Sequence, residues 1–302
     1  MENQILYCLQ DINNKLLNTL YALDNLRRNM REDEWRNFCQ NETTKYNLHT
    51  QLLKDPYTKR AFEKPRGYAG DAIMMDFLYG VLPPPDVESN PVGRSVFDFT
   101  TQSDPGKAVV FRKKYIAGLI DQKAQDSNVP VSVLSLAAGH LRETEMMKSF
   151  LQKKIKRFIA FDQDEKSLAK INREGIHSCV KTCPGKIKDL IEGNIDLGKF
   201  DFIYASGLFD YLPEKPAKKL IQWMFSSLNP GGTLLVPNFR AQLPNSIFRT
   251  YMEAFMNWFL IYREDEEIIG LFEKIQPTAI DKLSYFNDPV CNIGYVLVSK
   301  RA

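Results

Sequence analysis

Residues 131–139, Val-Ser-Val-Leu-Ser-Leu-Ala-Ala-Gly, and residues 158–162, Phe-Ile-Ala-Phe-Asp, decide how this chain is read. The first run is apolar, suits a β-strand, and stops at a small, tight turn. The second is another apolar run that stops at an acid. Gly139 and Asp162 are 23 positions apart, about one strand–helix–strand unit. In nucleotide-binding α/β folds, an acid about 20 residues after the glycine turn bonds ribose hydroxyls. The pairing therefore predicts an adenosine-type ligand at the carboxyl edge of a parallel sheet.

Working outward, strands are expected at 131–137, 157–161, 177–181, 200–205, 232–237 and 294–299. Helical stretches separate most of them, at 143–154, 165–174, 185–192 and 215–228. That alternation predicts an α/β fold with a doubly wound, mostly parallel, Rossmann-like sheet. The first half of the chain lacks strand signals. Leu6, Leu9, Ile12, Leu16, Leu20, Leu23 and Leu26 recur at helical steps and predict one face of a long helix. A second helical stretch is expected over 35–53. A break follows at Asp55-Pro56, then a turn-rich loop, Pro65-Arg-Gly-Tyr-Ala-Gly70. Asp71 caps a helix running through Ile73 and Leu78, and Pro83-Pro84-Pro85 ends it. Residues 97–120 read as one or two more helices. Polar residues 121–128 mark the boundary. The expectation is an N-terminal helical cap over 1–126 and a sheet domain over 127–302, with a helical insertion at about 239–284. The insertion's aromatics, including Tyr251, Trp258 and Tyr262, read as core.

Composition narrows the class. The chain has 302 residues, 44% hydrophobic and 25% charged, and a net charge of +3, too small to argue for a nucleic-acid partner. Five cysteines without C-x-x-C spacing read as reduced thiols and predict a cytoplasmic protein. With three histidines, no zinc site is expected. The N-terminus does not resemble a signal peptide, and the apolar stretch 255–262 is too short to span a bilayer.

The turn also narrows the ligand. A dinucleotide fold prefers G-x-G-x-x-G, and here Ala137-Ala-Gly-His-Leu-Arg-Glu143 keeps one of those three glycines. No G-x-x-x-x-G-K-[ST] occurs either. A ligand with adenosine but no phosphate fits better, and S-adenosylmethionine (SAM) has that chemistry. Two later motifs agree: Asp201-Phe-Ile-Tyr-Ala-Ser-Gly-Leu-Phe-Asp-Tyr-Leu212, a strand opening into a loop, and Leu228-Asn-Pro-Gly-Gly-Thr-Leu-Leu-Val236, a turn feeding the next strand. In this order the motifs resemble the class I SAM-dependent methyltransferases over residues 131–238. The single-glycine turn is a departure. Lys186 is another, lying near where many relatives carry an acid for the adenine amine. A narrower resemblance rests on Asp55-Pro-Tyr-Thr-Lys-Arg-Ala-Phe-Glu-Lys-Pro-Arg-Gly-Tyr-Ala-Gly-Asp-Ala72, on 137–143, and on Tyr262-Arg263 after an aromatic helix. These look like a bacterial methyltransferase family whose members are labelled as biosynthesis proteins for an extracellular hydroxypalmitic acid methyl ester.

Roles follow from these placements. Asp162, with its neighbour Gln163, is assigned to the ribose, the alternative being a helix cap. Ala137, Ala138 and Gly139 form the turn against the methionine tail. Backbone near Lys186 and Ile187 reads the adenine. Ser206, Gly207 and Phe209 follow the fourth strand, where the ligand passes. Arg142 meets either the ligand's carboxylate or an internal acid, and Glu143 complements a helix dipole. Asp210 and Tyr211 lie nearer the acceptor, as a general base or as cap and packing residues, and His140 takes a proton or packs. Arg66, Gly67, Tyr68, Gly70 and Asp71 suggest a lid loop, with Tyr68 placed for a cation–π contact to the sulfonium. Arg66 or Arg263 would orient a carboxylate acceptor. The acceptor expected is a small organic molecule. The alternatives are a protein or RNA acceptor, or a non-catalytic SAM-binding module. A homodimer through the N-terminal helices is an arrangement the sequence allows.

Overall fold

The computed structural model describes the chain from residue 2 onward, and its side chains from residue 14 onward. Seven helices come first: α1 (Glu2–Asn29), α2 (Glu32–Asn41), α3 (Asn47–Leu52), α4 (Pro56–Glu63), α5 (Ala72–Leu78), α6 (Pro91–Thr101) and α7 (Asp104–Asp126). The alternating part follows as β1 (Val131–Leu136), β2 (Ile155–Asp162), α8 (Glu165–Glu174), β3 (Val180–Pro184), α9 (Ile187–Ile191), β4 (Phe200–Ala205), α10 (Glu214–Ser226) and β5 (Leu228–Phe239). The chain ends with α11 (Ile247–Met256), α12 (Asp265–Gly270), β6 (Ile280–Asn287) and β7 (Ile293–Lys300).

Two compact units result. The first joins Met1–Lys107 with Pro244–Phe259, and the second joins Ala108–Leu243 with Leu260–Ala302. The boundary expected after residue 126 thus falls at Lys107/Ala108, so almost all of α7 belongs with the sheet. The expected insertion is divided as well: Pro244–Phe259 belongs to the helical unit, the rest belongs to the sheet unit, and β6 begins within its end.

In the helical unit, Leu16 and Leu20 are buried, and the next turn buries Asp24 while Leu26 is exposed. Steps of four from residue 16 keep one face of a 3.6-residue helix, and the stripe drifts off Leu26. Asp24 accepts hydrogen bonds from Thr250 Oγ1 (2.7 Å), Ser246 Oγ (2.9 Å) and Arg28 Nε (2.8 Å). Those bonds lower its carboxyl pKa, although burial, the largest single influence, pulls the other way. Side chains of Leu6, Leu9 and Ile12 lie outside the described residues. Asp55 does not merely break a helix. It caps α4, accepting from Tyr57 N (2.9 Å) and Thr58 N (3.0 Å), with Pro56 in the first turn. Thr58 Oγ1 also donates to it (2.7 Å) and lies 2.7 Å from the Tyr251 hydroxyl. Tyr251 is fully buried among Phe99, Phe248 and Phe255, as expected of a core aromatic.

The second unit is built on a seven-stranded sheet of order β3-β2-β1-β4-β5-β7-β6. Strands β1 to β5 pair in parallel, while β7 runs antiparallel to both β5 and β6. β1 is buried at every position, as a central parallel strand covered on both faces must be. Chain order reverses between β1 and β4, and ligands of open α/β sheets bind beyond the carboxyl ends of strands at such a switch point.

The helix expected at 143–154 does not form. A short 3-10 turn over Arg142–Met146 stands there instead, followed by turns that leave Leu151 88% exposed. The cause is Asp121 on α7, whose carboxylate accepts from Lys148 N (2.8 Å) and Ser149 N (2.9 Å), amides that a continuous helix would bond internally. β3 lies three residues later than expected. Gly185 follows it because Phe161 crowds the backbone there: a Cβ would sit 2.7 Å from the Phe161 ring.

Candidate functional site

The turn after β1 is stitched to the end of β2. Ala138 N donates to Phe161 O (3.2 Å), and Gly139 N donates to Asp162 Oδ2 (2.8 Å). Ala137, Gly139 and Leu141 all have left-handed backbone, with φ of 52°, 56° and 55°. Only the glycine adopts it freely. For the other two the strain is on the order of 1 kcal/mol each, held by the surrounding bonds.

Asp162 is buried at the carboxyl end of β2. Besides the Gly139 amide, its Oδ1 accepts from Asp164 N (2.8 Å). Burial pushes its carboxyl pKa up, and the backbone amides of Asp164, Gly139 and Gln163 pull it back. Each carboxylate oxygen can accept twice. The side chain therefore fixes the turn and keeps acceptor capacity for a pair of hydroxyls, so the residues present fit a ribose. Gln163 beside it is exposed. Lys186 is the exposed residue before α9, and its amide donates to Asp189 Oδ2 (3.1 Å); Ile187 is half-buried.

Beyond β4, Ser206 and Gly207 are half-buried and Phe209 is fully buried. Asp210 is 3% exposed, its Oδ1 accepts from Phe239 N (2.7 Å), and its carbonyl accepts from Ile261 N (2.7 Å). Burial pushes this carboxyl up to about 6, against the pull of Arg112, the Phe239 amide and Arg263. Tyr211 is 40% exposed. The sheet edge thus brings together the turn 137–139, Asp162, Lys186, Ile187 and the loop 206–211.

Two arginines have other work. Arg142 is buried and ion-paired with Glu145 (2.8 Å) and Glu174 (3.1 Å), the internal acids of the second alternative. Arg263, one of the two arginines assigned to a carboxylate acceptor, is engaged within the protein. It is buried, and donates to the carbonyls of Phe209 (2.8 Å) and Leu212 and to Asn238 Oδ1. Burial lowers its pKa from the usual value. It clamps the loop after β4 in place.

Arg66, Gly67 and Tyr68 lie in the helical unit. Gly67 (φ 85°) and Gly70 (φ 71°) make the turns of their loop. Asp71 anchors its end, capping α5 through Ile73 N (3.1 Å) and Met74 N (3.0 Å) and holding Arg60 through Nη2 (2.6 Å) and Nε (2.9 Å). Arg66 is 3.9 Å from the same carboxylate.

Sequence reasoning missed a buried polar cluster beside the turn. Glu143 is no surface residue at a helix end: it is buried, and the Tyr204 hydroxyl of β4 donates to it. Burial raises its carboxyl pKa, opposed by that bond and by positive charge from Lys113 and Arg112 on α7. The visible signal was in α7. Val109, Arg112, Ile116 and Ile120 recur at helical steps, which puts a charged residue on the buried stripe. Among the described residues, no group of three or more His, Cys, Asp or Glu is arranged to hold a metal ion.

No protein-family model matches the sequence, and no curated protein matches it. Among solved structures, the chain is similar to one described as a possible exported protein from Bordetella parapertussis. The TM-score is 0.61 at 13% identity, over 77% of this chain and 80% of that one. It also overlaps the magnesium protoporphyrin IX methyltransferase of Synechocystis PCC 6803 with bound S-adenosylhomocysteine (SAH), with a TM-score of 0.48, 10% identity and coverage of 66% and 87%. A third is the N-methyltransferase NodS of Bradyrhizobium japonicum WM9 in complex with SAH, with a TM-score of 0.45, 14% identity and coverage of 63% and 88%. The first likeness shows the fold, a doubly wound Rossmann-like sheet. Among the described residues, no helix is long and apolar enough to cross a membrane.

Proposed function

We propose that this chain transfers a methyl group from SAM to a small organic acceptor. The observation that carries the reading is Asp162. Its buried carboxylate, bonded to the Gly139 amide 23 residues upstream, stands at the end of β2 beside the switch point. A single-glycine turn there suits a nucleoside without a pyrophosphate.

SAM supplies a methyl group on a positively charged sulfur. Toward it, Asp162 accepts the ribose hydroxyls and the backbone at Lys186 and Ile187 borders the base. The turn 137–139 approaches the amino-acid tail, and Ser206, Gly207 and Phe209 line the path toward the acceptor. Positioning in line, rather than activation, is the main demand on the protein. A carboxylate acceptor needs no base. For a hydroxyl or amine acceptor, Asp210 and Tyr211 are the candidates to take the proton, and a carboxyl pushed up to about 6 is a stronger base than an ordinary one. The loop with Arg66, Gly67 and Tyr68 enters the reading as a lid, so Tyr68→Ala, which removes the aromatic face, should lower turnover more than SAH affinity. The four cysteines whose side chains are described, Cys39, Cys179, Cys183 and Cys291, are free, which supports a reducing, cytoplasmic setting.

The test is turnover. Protein incubated with SAM and a panel of long-chain hydroxy acids, alcohols and amines should accumulate SAH with at least one acceptor, and Asp162→Ala should abolish that. SAH formation that Asp162→Ala leaves intact would contradict the assignment of the site.

A further inference from the structure

Arg112 has no part in the reading above, yet its surroundings ask for one. It lies on α7 and is 5% exposed. Its nearest carboxylate oxygen, Asp210 Oδ2, is 3.9 Å from Nη1, too far for a hydrogen bond. Its Nε has no hydrogen-bond partner in the protein. A guanidinium carries five N–H donors, and burying it with a charge nearby but no hydrogen-bond acceptor for those donors is costly. Asp210 faces it through Oδ2 as an ion-pair partner at that distance, its Oδ1 being held by the Phe239 amide, and the two side chains make no hydrogen bond.

The position is informative. A Cβ on Gly207 would lie 3.4 Å from Arg112 Nη2 and 3.6 Å from Nη1. The planar end of the arginine therefore rests against the glycine of the loop after β4, at the switch point where ligands of such sheets bind. A methyl group at 207 would make ordinary van der Waals contact with the guanidinium. Asp210 and Glu143 add negative charge nearby. They disfavour a doubly charged phosphate more than a singly charged, planar carboxylate, which a guanidinium meets with two parallel bonds.

We infer that Arg112 is the seat of a ligand carboxylate in the transfer site, beside Gly207, which puts no side chain against the guanidinium. The inference rests on the methyl-transfer reading. Two molecules of that reaction can bring a carboxylate: the amino-acid tail of SAM and an acid acceptor.

The experiment separates them by calorimetric titration of the full chain and of Arg112→Gln. The probes are SAH, 5′-methylthioadenosine, which lacks the amino-acid tail, and then decanoate and decan-1-ol at saturating SAH. Loss of one seated carboxylate should weaken binding on the order of tenfold to a hundredfold. If SAH weakens and methylthioadenosine does not, the seat takes the cofactor's carboxylate. If SAH is unchanged while decanoate weakens and decan-1-ol does not, it takes the acceptor's. Equal affinities of variant and wild type for every probe would overturn the inference, as would SAH and methylthioadenosine weakening together. Arg112→Lys keeps the charge without the two-pronged geometry, so it is read by the same arms with a smaller loss if Arg112→Gln does not fold. Wild-type protein that takes no SAH removes the methyl-transfer reading, and the seat with it. Wild-type protein that takes SAH while both variants match it on every probe removes the seat alone.

Discussion

Asp55→Asn isolates one buried charge in the helical unit. Asp55 is fully buried, and burial pushes its carboxyl up to about 6 from an ordinary 3.8, against four bonds to Thr58, Tyr57 and Thr100 that pull it down. A displacement of that size corresponds to ~3 kcal/mol between protonation states. The sign follows from proton binding. The folded chain holds this proton more tightly than the unfolded chain. The stability it contributes is therefore fully present below pH 3.8 and lost as pH rises through about 6. Asparagine is neutral throughout and still accepts a bond at the cap. Its amide meets the Thr58 donors poorly, but that cost does not change with pH. The variant should gain on wild type by up to ~3 kcal/mol between about pH 4 and about pH 7. Urea denaturation followed by far-ultraviolet circular dichroism across that range measures the difference. A difference constant with pH, or one in which wild type gains as pH rises, would refute the reasoning.

Three further substitutions test the packing around the site. Arg263→Ala strands the carbonyls of Phe209 and Leu212 and removes a cation near Asp210, so it should cost about 3–5 kcal/mol, read as a lowered melting temperature. An unchanged melting temperature with lost turnover would return Arg263 to the acceptor. Gly185→Ala drives a methyl group into the buried Phe161 ring at 2.7 Å and should cost about 1–3 kcal/mol in urea denaturation. Gly118→Ala, in α7 with open space around its Cβ, should instead stabilise by about 0.5–1 kcal/mol.

Legibility tracked how local each signal was. β4 was read to the residue, because Phe200–Ala205 is a short apolar run bounded by polar residues. Asp162 and the turn at Gly139 were legible because strand, turn and acid lie within one unit of chain. Asp71 announced its cap the same way. The missing helix at 143–154 was not legible, since Asp121, whose carboxylate captures its amides, lies more than 20 residues upstream. β6 is half-exposed and lies at the sheet edge beside β7, so it lacks the continuous apolar run of the central strands. Arg263 resembled a substrate arginine because its partners are main-chain carbonyls of 209 and 212, about 50 residues away and featureless in sequence. Arg112 was legible in part: a charge on the apolar stripe of α7 is a sequence signal, but its neighbour Gly207 comes from β4's loop.

The most direct measurement is calorimetric titration of the full chain with SAH and with NAD. The account predicts saturable binding of SAH at a single site, none for NAD, and loss of the SAH signal in Asp162→Ala. Selective binding of NAD, or no binding of SAH, would contradict it.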